Sequence, residues 1–104
     1  MHIPSGGVIL PMKLKKHGAF LVNFVVDFAD GNMSRWDFDM DYSGYIIEHF
    51  PAFAQEHPRL SRRFADTIER TYSTCSWMTD DVFRDAIGDA VDEFPGIAHE
   101  PDIY

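Results

Sequence analysis

The sequence predicts an α+β domain. An antiparallel β-hairpin spans about 19–28 and 34–42, with room for an extra edge strand near 7–14, and it packs against three helical segments at about 43–56, 58–72 and 80–94. Three observations carry this expectation. Residues 19–42 alternate apolar and polar with period two on either side of a turn-forming Ala-Asp-Gly-Asn. Beyond residue 42 the apolar residues recur every three or four positions. The chain has 104 residues, 45% of them hydrophobic, which suits one core without covalent staples.

In chain order, Val8, Ile9 and Leu10 suit an edge strand only, because Pro11 has no N–H for a ladder. Residues 1–11 read as a flexible arm, 12–96 as the domain and 97–104 as a tail. In the first strand Phe20, Val22, Phe24, Val26 and Phe28 share one face, with Asn23 and Asp27 on the other. In the second, Trp36, Phe38, Met40 and Tyr42 alternate with Arg35, Asp37, Asp39 and Asp41. A three-residue loop, Asp30-Gly31-Asn32, sets Phe24 opposite Phe38, Val26 opposite Trp36 and Asp27 opposite Arg35. Asn32 then suits the left-handed position that closes the loop.

Tyr45, Ile46, Ile47 and Phe50 give the next segment an apolar side, and Pro51 is expected to break it. Pro58 fits a first helical position, with Leu60, Phe64 and Ile68 following at steps of four. Thr79 suits an N-cap, Asp80 and Asp81 the first turn, and Met78 with Phe83 a hydrophobic staple. The apolar stripe from Val82 to Phe94 ends at Pro95-Gly96.

Seventeen acids against nine Lys and Arg give a net charge of -8, which disfavours direct binding to nucleic acid or an anionic membrane. No segment approaches the roughly 18 apolar residues of a membrane helix. The single cysteine, Cys75, excludes an internal disulfide and a cysteine-based zinc site, and a reducing cytoplasm is the expected compartment. Charge is segregated. Residues 27–56 hold seven acids against Arg35, residues 58–72 are net positive, and residues 80–104 hold eight acids against Arg84.

The expected function is therefore a non-enzymatic acidic protein-binding domain. It is of the kind used by small inhibitors, immunity-type proteins and nucleic-acid mimics, and it acts on a basic partner through Asp37, Asp39, Asp41, Asp81, Asp85, Asp89 and Asp92. One alternative is a divalent-cation domain. Asp37, Asp39, Asp41, Ser43 and Glu48 fall at positions 1, 3, 5, 7 and 12 of the calcium-loop pattern, although position 6 is Tyr42 rather than glycine. The other is a structural domain without ligand. No cofactor beyond that calcium alternative is implied. His2, His17, His49, His57 and His99 are scattered without a His-x-x-x-His pair, so surface positions are expected for them. No nucleophile–base motif or phosphate-binding loop is present, which argues against an enzyme.

Overall fold

The computed structural model describes residues 14–94, and within them it is all-helical. The predicted hairpin is corrected: both of its arms are helices, and no strand occurs among the described residues. The arm at 1–11, the tail at 97–104 and nearly all of the edge strand near 7–14 lie outside the described residues.

Helix α1 is Lys16–Ala29. Its only strongly polar interior residues, Asn23 and Asp27, are four apart and therefore share one exposed stripe of a helix. Leu21 and Val25, which a strand would have turned to water, are buried with Val22 and Phe28. Burying them is worth about 1.5–3 kcal/mol per side chain, so the helix wins wherever both sets can be covered. The turn residues Asp30-Gly31-Asn32 are the C-terminal cap of α1. Gly31 adopts φ +86° and its N–H donates to the Phe28 carbonyl at 3.0 Å, while the Asn32 N–H donates to the Asp27 carbonyl at 2.9 Å. This is the Schellman arrangement. Gly31, not Asn32, takes the left-handed position; no other described residue but glycine does so either.

Helix α2, Arg35–Glu56, begins at Ser34, whose Oγ accepts the Asp37 N–H at 3.0 Å. The alternation in 35–42 was compatible with this, since Phe38 and Tyr42 lie on one side of a helix and Trp36 and Met40 on another. Phe38 and Tyr42 are buried, whereas Trp36 and Met40 face out. Pro51 does not break α2. The missing N–H deprives only the Ile47 carbonyl, on the exposed side, while Phe53 anchors the following turn in the core.

Pro58 opens α3, Pro58–Phe64, which continues without a break through a π-helical turn, Ala65–Glu69, into α4, Arg70–Cys75. In that turn the Arg70 N–H reaches back to the Ala65 carbonyl. The Thr67 hydroxyl donates to the Arg63 carbonyl at 2.7 Å, a local competition for backbone acceptors that loosens the helical ladder. Helix α5 is Asp80–Glu93, burying Phe83, Ile87, Ala90 and Val91, with Val82 turned outward.

The four rods form a bundle. Helix α1 packs against α2 and α5, and the α3–α4 rod packs against α2 and α5, so α2 and α5 lie on a diagonal. Gly18 lets α1 approach α2 closely: a Cβ there would lie 2.6 Å from the buried Phe53 ring. Helix α1 has no side-chain cap of its own. Glu56, at the far end of α2, supplies one, accepting the N–H groups of His17 at 3.1 Å and Gly18 at 3.0 Å.

Partial burial pushes the Glu56 carboxyl up, but those two N–H groups and the charges of His17 and Lys15 outweigh it and hold it below its ordinary value of 4.5. A lowered folded-state value stabilises above the ordinary value and ceases to do so as pH falls. The Glu56→Gln variant is therefore expected to lose about 1 kcal/mol at neutral pH, and to show a shallower fall in stability below about pH 4.5. Urea unfolding across pH 3–7 measures both.

Candidate functional site

The sequence-predicted acids do not form one surface. Asp37, Asp41 and Glu48 lie exposed along the outside of α2, whereas Asp81, Asp85, Asp89 and Asp92 line the outside of the diagonal helix α5. Asp39 stands apart from its neighbours. It accepts the Arg35 Nε–H at 3.0 Å, and a side-chain hydrogen bond joins it to Tyr72. The dodecamer that matches a calcium loop is continuous helix, so its carboxylates are spread around α2 rather than folded about a centre. Among the described residues no set of three His, Cys, Asp or Glu side chains is placed to hold a metal.

Arg35, Arg63 and Arg84 are engaged inside the fold, whereas Arg59, Arg62 and Arg70 are exposed. Arg35 donates to the carbonyls of Ser76 and Met78 and to Asp80, and it lies 4.0 Å over the Phe83 ring. Arg84 donates to the carbonyls of Phe28 and Met33 and lies 4.4 Å over the Phe28 ring. Arg63 donates to the Glu93 carbonyl at 3.2 Å. Three helix C-termini, where the dipole favours cations, are thereby served by Arg84, Arg35 and Arg63. Of the outer carboxylates, Asp39 of α2 and Asp80 of α5 pair with Arg35, while Arg63 and Arg84 give their hydrogen bonds to backbone carbonyls.

What hydropathy alone did not reveal is the apolar line on the outside of α2. Trp36 is 71% exposed, Met40 62% and Ile47 77%. At helical spacing they share one side, over a length of about 16 Å. Two shallow depressions follow one another along this flank. One, of about 300 Å³, is lined by Trp36, Asp39 and Met40. The other, of about 460 Å³, lies between α2 and α4 and is lined by Tyr42, Ser43, Ile46, Ile47, Glu69, Tyr72 and Ser73.

Its floor is polar. The Tyr42 hydroxyl donates to Glu69, the last residue of the π-helical turn, and the Tyr42 and Tyr72 rings stack at 4.0 Å. Burial, then the adjacent Glu69 carboxylate, keeps the Tyr42 phenol protonated far above its ordinary range. Tyr72 is raised as well, by burial and by the charge of Asp39. These groups offer hydrogen bonds; no nucleophile–base pair lies among them. A π turn beside a concave surface is a frequent mark of a functional region.

Removing the Tyr42 hydroxyl leaves a half-buried carboxylate without its donor. Tyr42→Phe is expected to lower stability by about 1–2 kcal/mol in urea unfolding, and Glu69→Gln by less, since an amide oxygen still accepts. Among the described residues no helix is long and apolar enough to cross a membrane. No protein-family model, curated protein or solved structure matches this chain.

Proposed function

We propose that this chain is a non-enzymatic binding module that seats a cationic, amphipathic helical segment of a protein partner along the flank of α2. One observation carries the reading: three large apolar side chains stand in line, mostly exposed, with carboxylates beside them. Monomeric proteins rarely leave such a line uncovered, and tryptophan and methionine are enriched where partners dock. A helix laid along it would place its own apolar residues against Trp36, Met40 and Ile47. Its basic residues would meet Asp37, Asp41 and Glu48 on one edge and Asp39 and Glu69 on the other. The acids of α5, on the diagonal helix, contribute to long-range steering rather than to contact.

The test uses a synthetic amphipathic Lys/Leu peptide and a Trp77→Phe background, which leaves Trp36 as the reporting fluorophore. Binding is expected to shift Trp36 emission to shorter wavelength. The Met40→Ser/Ile47→Ser double variant is expected to weaken binding at least tenfold, about 1.4 kcal/mol. Replacing Asp37, Asp41 and Glu48 by their amides is expected to weaken it and flatten its salt dependence. Amides at Asp81, Asp85, Asp89 and Asp92 should leave affinity within about threefold. Binding lost in the α5 variant and kept in the α2 variants would overturn the reading.

A further inference from the structure

We propose that residues 97–102 of this chain dock on an arginine face of the α3–α4 rod, with Glu100 and Asp102 pairing with Arg59, Arg62 and Arg63. Residues 58–72 are net positive in a chain of net charge -8. Arg59 and Arg62 are exposed and Arg63 is half-buried, and steps of three and four place them side by side on α3. The rod has one exposed acid, Asp66, to set against them.

Helix α5 ends against this face. Arg63 donates from Nη2 to the Glu93 carbonyl at 3.2 Å, and Phe94 meets the Phe64 ring edge-on at 6.1 Å. The Arg63 Nε–H is buried and has no acceptor among the described residues. A buried donor without an acceptor is costly, and a charged one more so, which favours an anionic or carbonyl oxygen arriving here. The chain beyond Phe94 starts at this point, and Pro95-Gly96 is a helix-stop signal. Glu100 is six residues beyond Phe94, a reach of up to about 20 Å, whereas Arg59 stands about 6 Å along the rod from Arg63.

Charge selects the occupant. Residues 95–104 hold Glu100 and Asp102 and no Lys or Arg. Pro101 between them favours extended backbone at Glu100, which sets the two acids about 6–7 Å apart. Neighbours on one helix face stand about 5–6 Å apart, so each carboxylate can meet its own guanidinium in a two-pronged pair. The acids of α5 are committed elsewhere: Asp85, Asp89 and Asp92 line a depression with Asp30 and Arg84. A second copy would bring its own charge of -8 to the contact, which repulsion opposes. While the segment is seated, the basic face is closed to other anions. The contact lies on a different helix from the proposed α2 flank and is independent of it.

The side-chain Nε–Hε resonances of the full ¹⁵N-labelled chain test this. The Glu100→Gln/Asp102→Asn variant is expected to move the Arg59, Arg62 and Arg63 signals and to leave those of Arg35, Arg70 and Arg84 in place. The reverse variant, Arg59→Gln/Arg62→Gln, is expected to move the backbone amide signals of residues 97–102. Sodium chloride should carry the arginine signals of the unmodified chain toward their positions in the acid variant, because exposed pairs are screened. Arg59, Arg62 and Arg63 signals that stay in place in the acid variant would overturn the proposal. So would shifts of equal size at Arg70, or shifts that vanish on dilution, the mark of a second copy.

Discussion

Phe38 is the side chain on which the bundle closes. From α2 its ring stacks on Phe28 of α1 at 4.1 Å and on Phe24 at 5.1 Å, meets Tyr72 of α4 edge-on at 5.9 Å, and lies 6.2 Å from Phe83 of α5. Stacked and tilted aromatic pairs at these separations each add about 0.5–1.5 kcal/mol beyond their buried area. The ends of the cluster are bracketed by cations, Arg84 over Phe28 and Arg35 over Phe83. Each of those guanidinium groups also reaches backbone carbonyls at a helix end or in the loop after it. Ring packing and helix capping are therefore one cooperative unit, since a shift of Phe38 would disturb the rings under both arginines.

That arrangement accounts for the outer surface. Phe38, Tyr42 and Phe53 are spent on the interior and Tyr45, Ile46 and Phe50 pack against its edge, which leaves Trp36, Met40 and Ile47 facing out. Arg63 and Arg84 serve backbone carbonyls rather than the outer carboxylates, and Arg35 reaches only Asp39 and Asp80 among the acids, so the surface keeps an acidic excess in a chain of net charge -8. An uncovered apolar line and an unneutralised acidic coat follow from the same internal commitments, and the proposed partner-binding flank is where the two coincide.

Much of this was legible in the sequence, in an altered form. The turn at 30–32 and the antiparallel return after it were readable, and so was the meeting of Phe24 with Phe38, because a helical hairpin and a β-hairpin reverse the chain alike. The period was not. Over nine residues, steps of two and steps of four coincide, and Asn23 with Asp27 fits both. The deciding signs were Leu21 and Val25, apolar on the supposedly wet face, and Ser34-Arg35-Trp36-Asp37, which opens a helix as a capping sequence. Once α2 is read as one helix, Trp36, Met40 and Ile47 fall on its outside and the candidate flank appears. The contact of His17 in α1 with His49 in α2, whose Nδ1 atoms lie 2.7 Å apart, had no comparable sign. Each histidine falls on an inward helix face, but their pairing depends on how α1 crosses α2, which Gly18 and Phe53 decide by close approach rather than by any local pattern.

The most direct measurement is the backbone and side-chain assignment of residues 17–56 by NMR. The account predicts helical ¹³Cα shifts through 17–29 and 35–56, continuous across Pro51, with ring contacts joining Phe38 to Phe28 and Phe83. Extended shifts over 19–28 and 34–42, with cross-strand Hα contacts between Phe24 and Phe38, would contradict it. The outer line on α2 would then cease to exist as a surface.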